Sequence, residues 1–300
     1  MVTPAYLKPG DQVGIVSTAR KIDRDQIKEG ISFIKELGLV PVIGKTIGLQ
    51  DDQYAGSDYD RQDDLQHMLN NPDIKAIWCA KGGYGTVRII DNIDFYRFAK
   101  NPKWIVGYSD VTVLHSHIHK LGVETLHAIM PYGFEDNSIA SKESLGDALF
   151  GRKVKYEINT APLNRNGSAT GEVVGGNISI LYSLCGSPSA ITTDGKILFI
   201  EDLDEYLYHV DRMMVNLKRN GLLKNLSGLI VGGLTRMHDN RVPFGKNAQQ
   251  IIMDAVKDFD YPVCFDFPAG HLDDNRTLIM GRNAKLDIED TGVTLNFEEA

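Results

Sequence analysis

Four short apolar runs, each followed by small or polar residues and then by a helical segment, constrain this chain more than any other feature. They are DQVGIVST (11–18), LVPVIG (39–44), IKAIWCA (74–80) and KWIVG (103–107). Between the first two, Ile27, Ile31, Ile34 and Leu37 recur at helical spacing, and Gly38 closes the stripe. Residues 58–70 read as a polar helix stopped by Asn71-Pro72. Helical segments near 86–91 and 94–99 lead to the fourth run, and another helix is expected from about 110 to 121. Strands this short, apolar throughout and alternating with helices, predict a parallel sheet covered on both faces.

The pattern changes after about residue 140. Residues 153–174 are rich in Asn, Gly, Thr and Ser, with short alternating stretches. KILFIED and LSGLIVGGL are further apolar strands, separated by a helix over 205–220, and a helix is expected over 247–258. The tail alternates on either side of Asp290-Thr291-Gly292, the signature of a hairpin. The expectation is an N-terminal α/β domain over 1–150 and a smaller β-rich domain over 151–300.

Composition excludes some partners. With 32 basic and 40 acidic residues among 300, the net charge is −8, and no Lys/Arg run stands out. That argues against nucleic acid and anionic membrane surfaces as partners. No stretch approaches the ~18 apolar residues of a membrane helix. The N-terminus lacks a charged segment followed by an apolar one, so no signal peptide is read and a cytoplasmic location is expected. Cys79, Cys185 and Cys264 are widely spaced and form no CxxC pair; they read as small buried hydrophobes.

Five places have chemical potential, each with a plainer alternative. Ser109 in WIVGYSD stands where a buried strand meets a helix. There it is either an N-cap or a nucleophile on a tight turn, with only half of a GxSxG pattern because Val111 replaces the second glycine. Lys81-Gly82-Gly83-Tyr84-Gly85 ends the third strand, as a plain turn or as a backbone cradle for an anion. Glu201-Asp202 ends KILFIED, as helix-dipole acids or as a carboxylate that orients a histidine. His271 lies in the loop after YPVCFDF, as a surface histidine or as a base. His115 and His119 share a helix face at metal-ligand spacing, but no HExxH glutamate accompanies them. A serine needs a base and an imidazole needs an orienting acid, so Ser109, Glu201 and His271 form a possible triad.

In these motifs the chain resembles the LD-carboxypeptidases. These are serine peptidases that include murein tetrapeptide carboxypeptidases and microcin C immunity peptidases. The matching stretches are LKPGDQVGIVSTA, AIWCAKGGYGTVRIID, WIVGYSDVTVLH, GEVVGGNISILYSLCGSP, ILFIEDLDE and GHLDDNRTLIMG, spread from residue 7 to residue 281. The resemblance implies a flavodoxin-like N-terminal sheet and a β-rich C-terminal domain, with the active site between them. It implies Ser109 as nucleophile, His271 as base and Glu201 as its orienting acid. It places the oxyanion donors at the backbone of Gly83 and Asp110, with Tyr84 and Asn177 as further substrate contacts. Lys81 stands where many relatives carry Arg. The implied reaction removes a terminal D-alanine from a cytoplasmic murein tetrapeptide in peptidoglycan recycling, without metal or cofactor, in a homodimer. Arg88 and Arg236 are candidates to meet the substrate's terminal carboxylate. Two other readings compete: the same triad acting on a peptidyl-nucleotide antibiotic, for which neither Trp78 nor Trp104 offers an evident base platform, and a non-catalytic binding module for peptidoglycan fragments or nucleotides. A metalloenzyme built on His115 and His119 is a more distant one.

Overall fold

The computed structural model describes residues 1–299. The first half runs β1 (Gln12–Val16), α1 (Lys28–Glu36), β2 (Val40–Ile43), α2 (Asp58–Asn70), β3 (Ile74–Cys79), α3 (Tyr96–Lys100), β4 (Trp104–Gly107), α4 (Thr112–Lys120), β5 (Thr125–His127) and α5 (Ile139–Leu149). The second half runs β6 (Lys155–Ile158), β7 (Gly167–Asn177), α6 (Ile178–Leu184), β8 (Ile197–Leu203), α7 (Leu207–Arg219), β9 (Gly228–Thr235), α8 (Ala248–Val256) and β10 (Val263–Cys264). It ends with β11 (Leu278–Met280), β12 (Asn283–Glu289) and β13 (Gly292–Phe297).

The first sheet has the order β11-β5-β4-β3-β1-β2. β1 to β5 are parallel, and their spatial order 2-1-3-4-5 is the flavodoxin-like one. β3 and β4 are almost wholly buried, which is why they read as continuous apolar runs. The sixth strand, β11, comes from the second half and pairs antiparallel with β5. The second sheet has the order β10-β9-β8-β7-β12-β13-β6. Its parallel part is β7 to β10, and its antiparallel part is the terminal hairpin with β6. The eleven-residue β7 joins the two parts: residues 167–172 pair with β12 and residues 173–177 with β8.

Local chemistry explains the helix ends that position the site. Ser57 accepts from Asp60 N–H at 3.2 Å and Asp60 Oδ2 accepts from Ser57 N–H at 2.9 Å, a reciprocal cap that starts α2. Asn177 caps α6 in turn, its Oδ1 accepting from Ile180 N–H at 3.3 Å. The segment expected as helices over 86–99 is instead two short 3₁₀ turns and the five-residue α3. Gln66 of α2 clamps both backbone groups of Asp94, which interrupts any continuous helix there. The main core is continuous between the sheets, from Val13 and Trp78 to Phe199, Phe267 and Leu295. Among the described residues no helix is long and apolar enough to cross a membrane.

Candidate active site

β4 ends at Gly107 (φ +154°), and two residues later Ser109 adopts φ +64°, a left-handed backbone that non-glycine residues rarely take. The turn is tight. A Cβ at Gly107 would fall 2.9 Å from Val111 Cγ2, and a Cβ at Gly82 would fall 2.8 Å from Ser109 Cβ. The close approach at the elbow is therefore made by Gly107 and Gly82, and Val111 is tolerated where a glycine was expected. Ser109 is the first residue of a 3₁₀ turn, Ser109–Val111; the N-cap positions of that turn and of α4 fall on Tyr108 and Val111. That removes the N-cap as the reason for a serine here.

The side chain of Asp110 is turned inward. Its Oδ2 accepts from Thr86 N–H at 2.8 Å, so it ties the glycine loop to the elbow. Burial raises its carboxyl pKa, opposed by the Thr86 and Gly85 hydrogen bonds and by the Arg61 charge. Arg61 is itself buried and donates to the carbonyls of Thr18 and Gly85, both at 2.9 Å. The loop is thus fixed from two sides. Asp110 N–H lies before the first bond of the turn, which runs from Val111 N–H to Tyr108 O at 3.2 Å. Gly83 (φ +108°) has no protein acceptor for its N–H among the described residues. Two unspent donors beside a serine are what a developing oxyanion requires.

Glu201 and His271 come from the second half. β8 carries an irregularity in its pairing with β9 between Ile200 and Asp202, the kind of bulge that re-aims side chains. Glu201 is completely buried, and its Oε2 meets His271 Nδ1 at 2.6 Å and accepts from His271 N–H at 3.2 Å. A Cβ on Gly270 (φ +102°) would fall 2.7 Å from the Glu201 side chain. Only glycine lets the loop lie this close to the carboxylate. Burial disfavours the charged imidazole, but the charge and hydrogen bond of Glu201, with Asp202 behind it, outweigh that, and the His271 pKa is raised. Asp202 is pushed up to about 7 by burial and by Glu201. Its oxygens accept from Asn177 Nδ2, Ser179 N–H and Leu203 N–H, each at 2.9 Å. The Tyr108 ring packs edge-on against His271 at 4.8 Å between centroids.

Ser109, His271, Gly83 and Asn177 all line one cavity of about 410 Å³ between the two sheets. Glu201 and the Asp110 carboxylate stand behind the wall. Among the described residues no hydrogen bond yet joins Ser109 Oγ to the imidazole, a contact that free enzymes often close only with substrate bound. Tyr84 is 43% exposed, lies against Tyr54 and is outside the cavity lining. Arg88 is committed to a two-pronged pair with Asp58, and Arg236 is not in the lining. The cations that do line the cavity are Arg20 and Lys81. Local pattern did not single out Arg20, yet it lies in the loop after β1, next to the point where the strand order reverses. A larger groove of about 870 Å³ lies between the terminal hairpin and the outer side of the His271 loop and contains none of these residues. His115 is a core histidine, its ring nitrogens 2.8 Å from Thr125 Oγ1 and Gly107 O, while His119 pairs with Glu172. Among the described residues no cluster of three or more His, Cys, Asp or Glu is arranged to hold a metal.

Comparison with known proteins gives matches over most of the chain. Residues 13–128 match the LD-carboxypeptidase N-terminal domain and residues 170–286 the LD-carboxypeptidase C-terminal domain. A probable murein peptide carboxypeptidase of Bacillus subtilis is 35% identical over 290 residues, covering 95% of this chain and 91% of its own length. The muramoyltetrapeptide carboxypeptidase of Oxalobacter formigenes superposes with a TM-score of 0.87 at 24% identity, over 95% of this chain and 98% of that one. A microcin C7 self-immunity protein bound to adenosine monophosphate superposes with a TM-score of 0.88 at 23% identity, over 100% and 99%. At those identities the two superpositions speak for the fold alone. The chain belongs to the LD-carboxypeptidase family of serine-type carboxypeptidase hydrolases.

Proposed function

We infer that the protein hydrolyses the amide before the terminal D-alanine of a murein tetrapeptide, with Ser109, His271 and Glu201 as its triad. The observation that carries this is the 2.6 Å contact between Glu201 Oε2 and His271 Nδ1 on a cavity whose other wall presents Ser109 from a strained elbow. Glu201 fixes the tautomer with a proton on Nδ1 and leaves Nε2 free as the base. Ser109 Oγ attacks the carbonyl carbon while Nε2 takes its proton. The N–H groups of Gly83 and Asp110 hold the oxyanion. The imidazolium then protonates the departing amine, and water releases the acyl group by the same steps in reverse. Asn177 lines the cavity as a substrate contact, and Tyr84 on the rim is left for a longer peptide. No step calls on a metal or cofactor.

We read the chain as two domains meeting near residue 150, the first supplying the nucleophile and the second the acid and base. The murein substrate is supported by the names of the relatives, among them the murein tetrapeptide carboxypeptidase of Pseudomonas aeruginosa, 25% identical over 289 residues. Its place is the recycling of wall peptides in the cytoplasm. Mass spectrometry of murein tri-, tetra- and pentapeptides after incubation tests the reading. The expected result is loss of one alanine from the tetrapeptide alone. An intact tetrapeptide alongside a cleaved aminoacyl-sulfamoyl nucleoside would replace it with the nucleotide reading.

A further inference from the structure

The cavity is electrically lopsided. One wall, built from the loops after β1 and β3, carries Arg20 and Lys81. The wall built from the end of β8 and the residues after it carries Asp202, Asp204 and Glu205. Three other cations of the first half are paired with carboxylates: Arg61 and Arg88 share Asp58, and Lys45 pairs with Asp63. Among the described residues Arg20 and Lys81 have no carboxylate within 4 Å, although both face the same cavity. Lys81 Nζ sits 3.9 Å over the Tyr132 ring. Burial and the neighbouring Arg20 charge both lower its pKa, and the more distant Asp23 only partly opposes them. Two unpaired cations held this close form a site that an anion would complete.

Their place beside the glycine loop bears on which anion it is. A Cβ at Gly83 would fall 2.6 Å from Arg20 Cδ, so the Arg20 stem lies on the loop that offers an oxyanion donor. Lys81 immediately precedes Gly82, which packs on Ser109. Both cations therefore adjoin the glycine loop that packs on Ser109, and both line the cavity that Ser109 faces. In a peptide cleaved before its last residue, the α-carboxylate lies one residue beyond the scissile carbonyl, a step of about 3.8 Å along the chain. An anion at the opposite wall would meet Asp204 and Glu205 instead.

We propose that Arg20 and Lys81 form the recognition site for the free α-carboxylate of the departing amino acid, and so restrict the enzyme to the last peptide bond. This rests on the hydrolytic reading above, and assigns the side chains behind its carboxypeptidase specificity. Guanidinium supplies paired donors for a carboxylate, and the ammonium supplies a second charge. The test is calorimetry on the full chain carrying Ser109→Ala, titrated with the murein tetrapeptide as free acid and as C-terminal carboxamide. The free acid is expected to bind about 10- to 100-fold more tightly, the worth of hydrogen bonds to a charged group. Adding Arg20→Gln and Lys81→Met should reduce the free acid to the carboxamide's affinity and leave carboxamide binding unchanged, which also reports an intact fold. Retained discrimination in the triple variant, equal binding of acid and amide, or no saturable binding of the acid would overturn the site. Turnover by the unmodified protein reports on hydrolysis separately. An uncleaved tetrapeptide together with charge-dependent binding would remove the reaction and keep the site.

Discussion

The base role proposed for His271 requires a neutral imidazole. Glu201 raises the His271 pKa against the effect of burial, so the imidazolium persists above the ordinary value of 6.5. Activity must therefore fall as pH drops, and the acid limb of kcat/KM should lie above pH 6.5. In Glu201→Gln that limb should move to lower pH, and kcat should fall by about 10²- to 10⁴-fold because the tautomer is no longer fixed. A pH–rate profile of the two proteins checks both points. At this scale the sequence was informative: Ser109, Glu201 and His271 each stand just after an apolar strand, where a sheet exposes its ligand-binding edge. Side-chain direction was not legible. Tyr84 follows two glycines, and nothing local shows that it lies against Tyr54 and outside the cavity lining. Arg88 is captured by Asp58, thirty residues earlier in the chain, a pairing visible only in three dimensions.

The loops and strand ends hold these groups in place through unusual backbone. Ser109 and Asp204, both on the cavity, have left-handed φ values of 64° and 59°. Gly270→Ala should be costly twice, through its φ of +102° and through collision with Glu201. The expectation is at least a tenfold loss of kcat with KM little changed, measured by steady-state kinetics on the tetrapeptide. Asp202→Asn should destabilise the fold by about 1–3 kcal/mol in urea, since an amide would face three donors with only one acceptor oxygen. The long apolar strands were readable because both their faces are covered. β5 and β11, three residues each, and α6 carry too little pattern to announce themselves. The β8 bulge leaves no trace in the residue order at all.

At the scale of the whole molecule, the two halves are interlocked. β11 leaves the second half to become an edge strand of the first sheet. Just after it, Arg282 reaches Glu124 at 2.5 Å with both side chains buried. Arg282→Met would strand that carboxylate, and unfolding in urea should show a loss of about 3–5 kcal/mol. The sequence indicated two units meeting near residue 150, and the exchange of β11 was hidden because its partner strand is distant in the chain. This interlock ties the half that carries the elbow to the half that carries the His271 loop, as the proposed split triad requires. The most direct measurement is the rate of D-alanine release from murein tetrapeptide by Ser109→Ala against the unmodified protein. The expected result is a fall in kcat of about 10⁴-fold or more with the fold intact by circular dichroism. A variant that keeps most of its activity would contradict the assignment of Ser109 as nucleophile.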